Sequence, residues 1–226
     1  MTEKFKPFHK IGLCFSGGGY RATFYGLGVL AVLDKIEFQE KSLLEAVKSI
    51  SSVSGGTLLA AAYTRSVQKN QPFSDFYQKL YATFEPSNDQ LLENATKKLK
   101  DDQVWKKNAY KRRSVINAFA LCYQEMEVFE GTFEMFHKDH IKQFDTVCFN
   151  ATDFTYGLTY RFQNRGDFGN GPLYKSYRSQ IKALKDQIEI GDIVASSSCF
   201  PIGFAPLVFP DDYIKDHNNS SYQQLK

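Results

Sequence analysis

The sequence predicts an α/β protein, with a mostly parallel sheet covered by helices in three α/β/α layers. Two observations carry that expectation. A short apolar run that breaks at a glycine- and serine-rich turn and resumes with helical spacing occurs once near Ile11 and again near Val47. Strand, turn, helix, repeated in this way, is the signature of parallel strands joined by crossover helices. The second observation is bulk: 226 residues, 42% hydrophobic and 23% charged, suffice for one large domain with a substantial core.

Taken in order, Met1 to His9 is a polar extension and the domain starts at residue 10. Ile11-Gly12-Leu13-Cys14-Phe15 is apolar, short and bounded by a turn, as a buried strand is. Tyr20 to Lys35 places Phe24, Leu27, Leu30, Ala31 and Leu33 at helical spacing. A second helical stretch is expected around Leu43 to Ala46, then a strand over Val47 to Ser52. After the turn at Val53-Ser54-Gly55-Gly56, Thr57 to Tyr63 opens another apolar helix. Thr146 to Asn150 and Leu158 to Phe162 read as strands, Gly166 to Pro172 as a loop, and Ile188 to Phe200 as an apolar stretch. Pro210 to Lys226 contains little apolar sequence and is expected to be a loop.

Charge and cysteine content narrow the function classes. Net charge is only +3, with no nucleic-acid motif, so no nucleic-acid partner is expected. One local exception is Lys97 to Arg113, where eight basic residues face two acids and Trp105 and Tyr110 are interleaved. It is expected to be a solvated helix face, or a transient contact with anionic lipid headgroups. No apolar run is long enough to cross a bilayer, and Met1 to Lys10 is polar with no apolar run behind it, so no secretory signal is expected. Cys14, Cys122, Cys148 and Cys199 are widely spaced, three of them in apolar runs, as expected of reduced, buried thiols in a cytoplasmic protein. His137 and His140 stand three apart without a completing carboxylate pattern, so no metal and no cofactor is expected. His9 and His217 lie outside the motifs below, although His217 leaves a Ser-His-Asp order formally open.

Two turns carry the chemistry. Gly17-Gly18-Gly19-Tyr20-Arg21 joins a strand to a helix, where glycines admit a close backbone approach and a helix N-terminus favours negative charge. Ala22 departs from the dinucleotide fingerprint, and no Gly-Lys-Ser/Thr of a P-loop is present. Ser52-Val53-Ser54-Gly55-Gly56 places a serine at the apex of a strand-to-helix turn, the arrangement of a nucleophile elbow, with Ser52 where a first glycine is usual. The turns are 37 positions apart, Gly17 to Ser54, which fits one crossover and puts both at the same sheet edge. The glycine-turn amides then face the carbonyl that Ser54 attacks.

Ser16-Gly17-Gly18-Gly19-Tyr20-Arg21-Ala22 and Ser52-Val53-Ser54-Gly55-Gly56-Thr57 resemble motifs of the patatin-like phospholipase family. Asn150-Ala151-Thr152-Asp153-Phe154 and Ala195-Ser196-Ser197-Ser198-Cys199-Phe200-Pro201, leading to Phe204-Ala205-Pro206, resemble further core segments in the same order. The resemblance spans about residues 10 to 210. It implies a Ser–Asp dyad lipid acyl hydrolase acting on phospholipid, lysophospholipid or glyceride. Ser54 is then the nucleophile and Gly17, Gly18 and Gly19 the oxyanion turn, with Arg21, Gly55 and Gly56 supporting turn or substrate. Acyl transfer through the same acyl-enzyme, and a non-catalytic anion- or nucleotide-binding module, are the alternatives.

The family's Asp sits in an Asp-Gly-Gly or Asp-Gly-Ala turn, and this sequence has no Asp-Gly dipeptide. The expectation is that the domain, residues 10 to 226, is incomplete at its C-terminus and that the base follows Lys226. The nearest stand-ins are Asp211 and Asp212, with Asp153 behind them.

Overall fold

A computed structural model describes residues 7–85 and 90–226. The sheet has the order β1-β4-β5-β6. Strands β1 (Ile11–Phe15), β4 (Val47–Val53) and β5 (Thr146–Asp153) run parallel, and β6 (Leu158–Gln163) returns antiparallel to β5. Helices flank this mostly parallel sheet, as the repeated strand–turn–helix pattern requires. The burial of consecutive residues Val147, Cys148 and Phe149 is that of a central strand covered on both faces. Strand β1 alternates half-buried and exposed residues because it is an edge.

The first crossover is α1 (Gly19–Lys35), followed by the two-residue strands β2 (Glu37–Phe38) and β3 (Lys41–Ser42), which pair antiparallel. The expected helix at Leu43 to Ala46 is a turn only, closed by the Ala46 amide on the Leu43 carbonyl at 3.1 Å. Ser42 and Val47 already belong to strands, so four residues remain, too few to repay helix nucleation. Helix α2 (Gly55–Gln68) follows β4 and is buried on nearly every side, with Leu58, Leu59, Ala60, Ala61 and Ala62 at most 3% exposed. It is the central helix, and α1 packs closely on it. At Gly26 on α1 a Cβ would overlap Leu59, so the two helices meet through a position without a side chain.

Helices α3 (Phe73–Phe84), α4 (Leu91–Lys100), α5 (Asp102–Lys107) and α6 (Val115–Glu125) then pack around this core. Much of the aromatic content is spent here. Tyr63 meets Phe73, Phe76 and Phe144, and Phe84 and Tyr123 both meet Phe129. Asn170 caps α7 (Gly171–Leu184) by accepting from the Leu173 amide at 2.7 Å, and Pro172 occupies the first turn. The expected loop therefore ends where this helix begins. Helix α8 (Ile190–Ser198) arises within the apolar stretch and packs against α6 and β5.

Further expectations are corrected. The segment from Pro210 onward is tied into the fold: Asp212, Tyr213, Ile214 and Tyr222 are buried, and α9 (Ser220–Leu225) packs against α7. A few well-placed aromatic and aliphatic anchors fix it despite its polar average. Cys14 is exposed because it lies on the edge strand, whereas Cys122 and Cys148 are buried and Cys199 half-buried. Burial pushes the Cys122 and Cys148 thiols up to about 11.

Among the described residues no helix is long and apolar enough to cross a membrane. Five of the eight basic side chains in Lys97 to Arg113 are ion-paired within the chain: Lys97 with Glu93, Lys98 with Glu125, Lys111 with Asp192, Arg112 with Asp212 and Arg113 with Asp102. Lys111 is wholly buried and not part of a solvated face. Trp105 is buried as well, its indole N–H donating to the Lys98 carbonyl at 3.0 Å.

Candidate active site

Strands β1 and β4 are parallel neighbours in the register Phe15↔Ser52, so the turns that follow them emerge side by side at one sheet edge. After β1 the chain passes through Gly18 (φ 142°) and Gly19 (φ 60°) into α1. Both are conformations that side-chain-bearing residues adopt at a cost, which is why the turn is written in glycine. After β4 the chain turns at Ser54 itself, at φ 54° and ψ −125°, before entering α2. Ser54 has a side chain and holds this backbone anyway, a strained strand-to-helix turn.

The two turns are in contact, and the contact consists of backbone. A Cβ on Gly55 would overlap the Gly19 carbonyl oxygen and lie 2.7 Å from its carbon, and one on Gly56 would lie 2.5 Å from the Phe15 carbonyl oxygen. A Cβ on Gly17 would stand 3.1 Å from Ser54 Cβ and 3.7 Å from its Oγ, which places the glycine turn beside the serine hydroxyl. Thr23, buried on α1, donates its hydroxyl to the Gly55 carbonyl at 2.8 Å and stitches the two helix starts together. The structure thus brings together Gly17, Gly18, Gly19, Ser54, Gly55 and Gly56. Arg21 is exposed in the first turn of α1, where it lines an open cleft of about 580 Å³ with Cys14, Phe15, Gly17 and Tyr25.

A hydroxyl network lies beneath Ser54. Ser197, near the end of α8, donates its O–H to the Asn150 carbonyl at 2.7 Å. Its one proton is then committed, so its oxygen accepts from the Ser54 amide at 2.8 Å and from the Thr57 hydroxyl at 2.8 Å. Thr57 in turn accepts from Ser52 at 2.9 Å, which fixes the direction of the whole chain. Asn150 fastens β5 to β4 through Ser51 Oγ at 3.0 Å and the Ser52 carbonyl at 2.9 Å. The sequence marks Ser196-Ser197-Ser198 as a family segment but not which serine faces the elbow. The rotation of α8 decides: Ser196 bonds to Tyr213, and Ser198 Oγ has no partner among the described residues.

Helix α8 is held from its other end by a buried ion pair. Lys111 Nζ donates to Asp192 Oδ1 at 2.7 Å, both side chains fully excluded from solvent, and Gln124 donates to the same oxygen at 2.8 Å. Burial pushes the Asp192 carboxyl up to about 6, with Lys111 pulling the other way. Arg112 and Asp212 form a second pair at 2.6 Å, and Asp212 also accepts from the Arg112 and Val208 amides. Burial opposes ionisation of Asp212, yet Arg112 and these amides hold its carboxyl below the usual carboxylate range.

These bonds give Asp211 and Asp212 structural employment. Asp212 is saturated by Arg112, and Asp211 accepts from the Tyr222 hydroxyl at 2.6 Å. Asp153 caps its own turn by accepting from the Thr155 and Tyr156 amides. Among the described residues no carboxylate is hydrogen-bonded to Ser54. The histidines stand apart from the site: His137 pairs with Asp186 at 2.6 Å and His217 stacks on Tyr222 at 4.3 Å. Among the described residues no group of three or more His, Cys, Asp or Glu side chains is placed to hold a metal ion.

A family model for patatin-like phospholipases matches residues 13–216. That match covers nearly the whole chain and both turns, and the chain belongs to this family. No curated protein and no solved structure matches it.

Proposed function

With membership of the patatin-like phospholipase family as the premise, we propose that this chain carries the nucleophile and oxyanion turn of a lipid acyl hydrolase. The observation that carries the reading is the strained Ser54 turn pressed, glycine against glycine, onto the Gly17-Gly18-Gly19 turn. Ser54 Oγ attacks the ester carbonyl of a glycerolipid and its proton passes to a base. The carbonyl oxygen, now negative, takes hydrogen bonds from first-turn amides of α1 and α2, where the helix dipoles add positive potential. The Ser54 amide is already given to Ser197, so the donors are those of the glycine turn and of Gly55. The alcohol leaves with the transferred proton, and water attacking the acyl-Ser54 ester regenerates the hydroxyl and releases the fatty acid. Each oxyanion donor contributes about 10²–10³ in rate.

Asp211, Asp212 and Asp153 are hydrogen-bonded to other partners, so none of the three is proposed as the base. Fluorophosphonate labelling of the protein containing this chain, followed by peptide mass spectrometry, tests the reading. The adduct is expected on Ser54, and Ser54→Ala removes both adduct and ester hydrolysis. Hydrolysis unchanged in Ser54→Ala sinks it.

A further inference from the structure

Around the Ser54 edge the chain exposes apolar side chains that the catalytic reading does not use. Val53, immediately before the nucleophile, is 40% exposed. Strand β5 passes its neighbour and ends in a hairpin whose tip carries Phe154 at 69% and Tyr156 at 67% exposure. Beyond α8, Phe200 is 61% exposed and Ile202 is 107% exposed. All are tied to the site by short lengths of chain. Phe200 is three residues from Ser197, within roughly 10 Å, and Phe154 is four from Asn150, within roughly 14 Å.

Ile202 breaks two rules at once. It is β-branched at φ 75°, a conformation suited to glycine or asparagine, and it offers its whole side chain to water. Each departure costs stability in solution, and neither is repaid by burial among the described residues.

We propose that Val53, Phe154, Tyr156, Phe200 and Ile202 form a lipid-docking face that seats the Ser54 edge of the sheet on a bilayer or lipid aggregate. Exposed phenylalanine and isoleucine beside a tyrosine suit the boundary between acyl chains and headgroups. The face surrounds the residue that must meet an ester located at that same boundary. It also carries the adhesion that Lys97 to Arg113 is poorly equipped for, since most of those cations are neutralised within the chain. Adhesion by this face is apolar, so it extends to uncharged lipid and resists salt.

The proposal rests on the lipid-hydrolase reading for its orientation but not for its measurement. The chain is sedimented with phosphatidylcholine vesicles, and with vesicles also containing phosphatidylglycerol, at low and high salt. Binding to both, little changed by salt, is expected. Phe154→Ser with Tyr156→Ser, and Phe200→Ser with Ile202→Asn, should each weaken it by about tenfold or more, given the apolar area withdrawn. Ile202→Asn alone should lower vesicle binding while leaving the melting temperature equal or higher, opposite signs that a residue stabilising the fold does not show. Ser54→Ala should bind vesicles as the wild type does, so loss of the catalytic reading leaves the docking result interpretable. The proposal is overturned if the wild type ignores both vesicles, which would make the face a seat for a protein. It is equally overturned if the apolar substitutions change binding less than about twofold while Lys100→Gln, Lys106→Gln and Lys107→Gln abolish it.

Discussion

Replacing Ser197 by alanine removes one hydroxyl and strands three groups. The Ser54 amide and the Thr57 hydroxyl lose their acceptor, and the Asn150 carbonyl loses its donor. Ser197 is 7% exposed and Thr57 fully buried, so water does not readily replace the lost partner. A buried donor or acceptor left unpaired costs about 1–3 kcal/mol. Turning the Thr57 proton toward Ser52 only strands the Ser52 proton instead, so three groups stay unpaired and the expected loss is about 3 kcal/mol or more in urea unfolding of the chain. Thr64→Ala is the control. It also deletes a buried hydroxyl on α2, but one that only doubles a helical bond to the Ala60 carbonyl, and it should cost about 1 kcal/mol or less. Ser197→Ala should also slow fluorophosphonate labelling of Ser54 by about tenfold or more, because the strained turn loses the bond on its own amide. Ser197→Thr, which keeps the oxygen, should recover part of that rate, and Thr64→Ala should leave it unchanged. The reasoning is refuted if Ser197→Ala costs no more than Thr64→Ala and labels at the wild-type rate.

Gly55→Ala should destabilise by about 3 kcal/mol or more, since its Cβ strikes the backbone of Gly19, whereas Gly19→Ala, with open space around its Cβ but φ 60°, should cost about 1–2 kcal/mol. The order of the two in thermal unfolding checks the turn-to-turn contact. Lys111→Ala or Asp192→Ala should each cost about 3–5 kcal/mol by leaving a buried charge alone, and Lys111→Met with Asp192→Leu should cost less than either, as a double-mutant cycle would show. The Asp192 carboxyl lies at about 6 in the folded chain against an ordinary 3.8. Between those values the folded chain binds the proton more tightly than the unfolded chain. The contribution of Asp192 to stability therefore falls by up to about 3 kcal/mol as pH rises from about 4 to about 6 and is flat above, a slope missing from the unfolding profile of Asp192→Asn.

What could be read from residues alone followed from local chemistry. The Gly17-Gly18-Gly19 and Ser54-Gly55-Gly56 turns announced themselves because their backbones demand glycine, and glycine is visible in a sequence. The parallel sheet followed from their spacing. What was hidden depended on rotation and reach. Whether Ser196, Ser197 or Ser198 meets the elbow depends on how α8 rolls on β5. That Lys111, in a run of surface-like cations, is buried against Asp192 depends on a partner 81 positions away. The order in the tail is hidden because an averaged polarity conceals single anchors such as Ile214 and Tyr222. The exposure of Cys14 is hidden because an apolar strand at an edge has the same composition as one in the centre.

The backbone at Ser54 also has an evolutionary meaning. The position favours glycine by about 1–3 kcal/mol, so exchanging the serine for glycine would make the chain sturdier. Drift governed by folding alone runs toward that exchange. A lineage that keeps Ser54 accepts a permanent handicap in stability, and a descendant that no longer used the site would be expected to lose the serine early, with the glycine turn surviving longer as packing. Glycine in place of this one serine, on an otherwise intact fold, would therefore be the mark of a site no longer in use.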